Sequence, residues 1–176
     1  MATMIQFTKL LLAKVGGLLP AQGRRGLFMT TCTSQSLSDT SSLALEILEQ
    51  FSGAPRIHTA TVLALSGDLG AGKTAFTQMC AKHLGIEDVV VSPTFVIAKF
   101  YSIEREQFPW NRLIHIDAYR LESWQELQAL GFDEIFTDPN NLVIIEWPEQ
   151  VADTDQADWA RINISTEQEK RVFTIE

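Results

Sequence analysis

At 176 residues and 45% hydrophobic composition, the chain has the length and apolar content for one globular domain with a core of its own. No run of about 18 apolar residues occurs, so no membrane-spanning helix is expected, and two cysteines are too few for a disulfide framework. All 22 acids lie from Asp39 onward against ten basic residues there, a formal −12 that makes this body a poor clamp for a nucleic-acid backbone.

Residues 1–28 carry Lys9, Lys14, Arg24 and Arg25 and no acid. They read as an organellar transit peptide or as an extension upstream of a start at Met29, with the extension preferred. Lys14 interrupts the apolar stretch, which argues against a secretory signal. The expected organisation is a leader over 1–28 and one domain over 29–176, in a reducing, cytoplasmic setting, or in an organelle if the leader is a transit peptide.

"TTCTSQ" is Thr-rich and predicts a short edge strand. Ser38 or Asp39 is placed to cap a helix in which Leu43, Ala44, Ile47, Leu48 and Phe51 keep helical spacing. "TATVLALS" predicts a strand buried on both faces, as in a parallel sheet. After a glycine loop, Phe76, Met79, Cys80 and Leu84 form a helical stripe ending at Gly85, with Cys80 a buried small residue. "TFVIAKFYS" and "RLIHIDAYR" read as strands. Ser123 and Glu126 have capping-box spacing for a helix carrying Trp124, Leu127 and Leu130, with Gly131 after it. "NLVIIEW" is a further buried strand, and "ARINIS" with "RVFTIE" predicts a closing hairpin. The alternation points to a three-layer α/β domain with a largely parallel sheet.

Gly67, Gly72, Lys73 and Thr74 satisfy the G-x-x-x-x-G-K-[ST] spacing of a phosphate-binding loop. Glycines let backbone N–H groups converge on an anion, and the following helix adds its positive dipole end. Lys73 is placed for the β- and γ-phosphates and the Thr74 hydroxyl for Mg²⁺. The buried strand before this loop and the helix after it make a chance match the weaker reading.

Such a loop needs an acid at the end of a neighbouring strand to hold Mg²⁺ or orient water. Asp117 ends "LIHID" and Glu146 ends "LVIIE"; the sequence leaves open which does which. Ser92 and Thr94 flank Pro93, either as a γ-phosphate sensor or as a stiffened turn. His115 alternates with Ile114 and Ile116 and reads as a packed strand histidine on the opposite face rather than a catalytic one. No Asn-Lys-x-Asp segment appears, which disfavours a GTPase.

Together, "GDLGAGKT", "VSPTFV", "HIDAYRL", "ELQALGFDEIF" and "VIIEWPE" resemble the TsaE (YjeE-type) family, in order and spacing, from about Thr31 to the C-terminus. The resemblance implies a P-loop ATPase required for threonylcarbamoyladenosine formation at the tRNA adenosine next to the anticodon. It implies docking on a TsaD–TsaB pair, so that tRNA is met only indirectly. By the same resemblance Asp68, Leu69, Gly70, Ala71, Gly72, Lys73 and Thr74 hold the phosphates of ATP. Thr74 and Glu146 bind Mg²⁺, Asp117 serves hydrolysis with Lys73, and Trp147 lies near the nucleotide. Asp39 and Thr40 fall where the family contacts adenine. The family's Gly-Arg turn before the last strand reads "TEQEKRV" here, a departure at a nucleotide contact. The competing readings are a small P-loop kinase, for which no arginine-rich lid appears, and a non-catalytic ATP-dependent binding module.

Overall fold

The computed structural model describes residues 30–53, 56–151 and 158–176. The expected leader, residues 1–28, lies outside them. A seven-stranded mixed sheet is built from β1 (Thr30–Ser34), β2 (Thr61–Ser66), β3 (Ala98–Ser102), β4 (Arg112–Asp117), β5 (Asn141–Glu146), β6 (Ala160–Glu167) and β7 (Lys170–Ile175). Its spatial order is β1-β7-β6-β2-β5-β4-β3. The four central strands β6, β2, β5 and β4 run parallel to one another, and the outer pairings are antiparallel. Helices α1 (Leu37–Ser52), α2 (Lys73–His83), α3 (Trp124–Ala129) and α4 (Asp133–Thr137) accompany it.

Alternation along the central strands sorts side chains into two cores. Leu63, Leu65, Leu113, Leu142, Ile144 and Ile162 pack with Leu43, Ile47, Leu48, Phe76 and Cys80 of α1 and α2. Val62, Ala64, Ile114, Ile116, Val143 and Ile145 pack on the other face with Leu127 and Phe132. Each fully buried Leu, Ile or Val contributes about 1.5–3 kcal/mol, and a one-residue slip would exchange the two sets, so the register is strongly fixed.

Several boundaries differ from the sequence expectation. Ser36, not Ser38 or Asp39, caps α1, and its side chain accepts from the Asp39 backbone N–H. Asp39 reaches back to accept from Gln35 N at 2.9 Å, so the carboxylate is used at the helix start. The strand expected over "TFVIAKFYS" begins only at Ala98, because Pro93 O accepts from Val96 N and Ile97 N and closes a turn there. Ile97 leaves that turn with φ 66°, a strained value for a β-branched residue. Leu130, expected on helix α3 with Trp124 and Leu127, is its C-cap and is exposed. Helix α4 was not legible as a separate element. Strand β6 pairs antiparallel with β7 and also parallel with β2, a connection that its local pattern does not reveal.

Candidate functional site

The loop from Gly67 to Gly72 joins β2 to α2, and its backbone requires glycine at two points. Gly67 has φ 139°, and a Cβ there would lie 2.2 Å from the Ile164 carbonyl oxygen. Gly72, at φ 111°, is the residue before the first turn of α2. Leu69 stands exposed at the loop tip, Ala71 is buried, and Ala71 N donates to Asp68 O at 3.1 Å.

Lys73 folds back into this loop. Its Nζ donates to Gly67 O at 2.5 Å and Asp68 O at 2.9 Å, and lies 3.8 Å from the centre of the Trp147 ring. Burial pulls its ammonium below the ordinary lysine value, while the carboxylates of Glu146, Glu149, Asp117 and Asp68 pull the other way. Trp147 is set by a left-handed backbone, φ 58°, with its N–H donating to Leu65 O at 3.1 Å. Tyr119 packs against it, ring centres 5.2 Å apart.

The two candidate acids stand side by side, because Asp117 of β4 is the register partner of Glu146 of β5. Both share the parity of the core face that α2 covers, which aims them at the helix start. Thr74 Oγ1 donates to Glu146, 2.9 Å to Oε1 and 3.2 Å to Oε2. Asp117 Oδ2 accepts from Ser92 Oγ at 2.7 Å and Thr94 Oγ1 at 2.6 Å, and Oδ1 accepts from Tyr119 N at 3.1 Å. The Ser-Pro-Thr turn is thereby tied to the strand acid.

A hydroxyl and a carboxylate are hard oxygen donors of the kind Mg²⁺ takes when phosphates and water complete its shell. Among the described residues no group of three or more His, Cys, Asp or Glu could hold a metal by itself. Thr74 and Glu146 could therefore hold a divalent cation only if other oxygen donors complete its shell.

Beside the loop opens a cleft of about 190 Å³ lined by Ser34, Ser36, Thr40, Gly72, Ala75 and Arg171, among others. Thr40 is on its wall; Asp39 is not. Arg171 Nε lies 3.6 Å from where a Gly72 Cβ would stand. A cation thus comes from β7 although the turn before it lacks the family's Gly-Arg pair. Sequence reasoning passed over Arg171 because only the β7–β1 pairing, Arg171 opposite Ser34, brings it to the loop. It also set His115 apart. The face opposite Ile114 and Ile116 is the site face, and His115 Nε2 lies 2.7 Å from Glu146 Oε1. The shared parity of His115 and Asp117 was the available signal.

A mixed sheet with such a loop at the C-terminal edge of its central strand is consistent with a P-loop NTPase-like fold. The family profile described as "Threonylcarbamoyl adenosine biosynthesis protein TsaE" matches residues 34–173, and the chain belongs to this TsaE family. A Streptomyces coelicolor relative named tRNA threonylcarbamoyladenosine biosynthesis protein TsaE is 35% identical over 112 residues, 63% of this chain and 72% of that protein. A Bacillus subtilis protein of the same name is 46% identical over 86 residues, 49% of each chain. A Rickettsia prowazekii one is 39% identical over 89 residues, 50% of this chain and 57% of its own length, so the match spans little more than half of that relative. A crystal structure of Bacillus subtilis YdiB superposes with a TM-score of 0.59 at 25% identity, covering 86% of this chain and 87% of that one.

Proposed function

We propose that this chain is an ATPase that binds ATP with Mg²⁺ and serves threonylcarbamoyladenosine formation on tRNA, docked on a TsaD–TsaB-type complex in the cytoplasm. We assign this to a single domain over residues 29–176. The observation that carries the reading is the convergence of Lys73, Thr74, Glu146 and Asp117 on one loop at one sheet edge.

In this reading the loop N–H groups and Lys73 take the phosphates, and Lys73 exchanges the Gly67 and Asp68 carbonyls for phosphate oxygens. Thr74 and Glu146 would hold Mg²⁺, which would supply positive charge against the negative charge of the transferring phosphoryl group. Asp117 orients the attacking water, with the Ser92 and Thr94 hydroxyls fixing its carboxylate and Thr94 facing the γ-phosphate. The 190 Å³ cleft, with Thr40 and Arg171 on its wall, is the place for the nucleoside. The acidic body supports a division of labour in which partners hold the tRNA.

Phosphate release measured for the chain alone and with a TsaD–TsaB pair tests the proposal. Slow ATP hydrolysis alone and faster hydrolysis with the pair is the expected result. Phosphoryl transfer to a small molecule would indicate a kinase, and nucleotide-dependent docking without hydrolysis a binding module.

A further inference from the structure

Glu146 is gripped from two sides. Thr74 of α2 donates to it from above the sheet edge, and His115 of β4 meets its Oε1 at 2.7 Å from within the sheet. The His115 side chain is fully buried and that of Glu146 is 4% exposed. A carboxylate oxygen accepts and cannot donate, so the ring proton belongs on Nε2. His115 Nδ1 has no partner among the described residues. Among these residues the polar bonding of the ring therefore goes to Glu146 alone.

His115 is the register partner of Ile144, two residues before Glu146 on the adjacent parallel strand. Oε1 takes both the His115 bond and the shorter Thr74 bond, leaving Oε2 the less encumbered oxygen. An unanchored glutamate has three rotatable bonds; this one is held in a single orientation toward the start of α2.

We propose that His115 is a positioning residue, which presents the Glu146 carboxylate to the cation that accompanies the nucleotide. The inference rests on the reading of Glu146 and Thr74 as the Mg²⁺ donors. Losing an orienting hydrogen bond of this kind typically weakens metal affinity about 10–100-fold, without touching groups that bind the phosphates directly.

The test is calorimetric ATP binding to the full chain across a Mg²⁺ titration and again in EDTA. The proteins are wild type, His115→Leu, His115→Asn, His115→Gln and Glu146→Ala. His115→Leu and His115→Asn should need about tenfold more Mg²⁺ to reach half of its effect on ATP affinity, with affinity in EDTA unchanged. His115→Gln, whose amide reaches the Nε2 position, should return toward wild type. An unchanged Mg²⁺ requirement in His115→Asn overturns the proposal, as does an equal loss of affinity in EDTA, which would mark plain structural damage. If Glu146→Ala itself leaves the Mg²⁺ dependence intact, the metal reading falls and the His115 role falls with it. Should His115→Leu fail to fold, the Asn and Gln pair decides the question.

Discussion

Lys73 and Trp147 meet face to face: the ammonium sits 3.8 Å from the indole centre while donating to two loop carbonyls. Lys73 is thus held by the loop itself, and if it serves the proposed ATP, the nucleotide must draw it away from a contact worth about 0.5–2 kcal/mol. Lys73→Ala should lower ATP affinity by about 10²-fold, the scale of losing charge-assisted bonds to a phosphate. The same movement should change Trp147 fluorescence, so ATP should alter emission in wild type and not in Trp147→Phe. Near-normal affinity in a folded Lys73→Ala protein would overturn the loop assignment.

Glu146→Ala should weaken ATP binding about 10–100-fold with Mg²⁺ present and little in EDTA, because a metal donor couples to the nucleotide only through the ion. Equal losses in both conditions would make Glu146 a structural partner of Thr74 and His115.

Asp117→Asn preserves size and removes a negative charge beside the proposed phosphate site. ATP should stay bound, or bind more tightly, while phosphate release falls about 10²-fold or more. The amide nitrogen must replace either the oxygen that accepts from Ser92 and Thr94 or the one that accepts from Tyr119 N, so one of these ties is lost. Unchanged phosphate release moves the water-orienting role elsewhere.

Gly67 and Gly70 separate strain from collision. Both have positive φ, but a Cβ at Gly67 meets Ile164 O at 2.2 Å whereas Gly70 faces open space. Gly70→Ala should cost roughly 1–2 kcal/mol from strain alone. Gly67→Ala should cost about 3 kcal/mol or more, since β6 must also shift. Denaturant titration of the two variants checks the order; a larger loss at Gly70 would contradict the close approach of loop and β6.

Cys80 is fully buried in α2, and burial pushes its thiol well above the ordinary value of 9.0. The native chain should therefore resist alkylation at Cys80 until it unfolds. Above pH 9 the unfolded state releases the thiol proton that the folded state keeps. Stability should then fall as pH rises, by up to about 1.4 kcal/mol per unit from this group, and be unaffected by it at lower pH. Denaturation at pH 8 and pH 10 should show a smaller drop for Cys80→Ala than for wild type.

The local signals were the ones that read true from sequence. The run "TVLALS" is buried at all of Thr61–Leu65, because a parallel strand covered on both faces needs apolar residues at every position. The loop after it depends on residues within eight positions of one another. Boundaries failed where individual hydrogen bonds decided them: the Ser36 side chain took the α1 cap, and the Pro93 backbone turn delayed β3 to Ala98.

By itself, then, the sequence determined the glycine loop between β2 and α2, the placement of Asp117 and Glu146 at the ends of their strands, and the family. The loop and the strand ends follow from short-range spacing and periodicity, and the family from a resemblance in the order of its motifs. Only the tertiary structure decided that His115 grips Glu146, that Arg171 stands beside Gly72, and that β6 lies parallel to β2. Each of these joins residues 31 to 99 positions apart, set by which strand neighbours which. Strand order is fixed by the joint packing of two cores across one sheet, and no local pattern in a single strand encodes it.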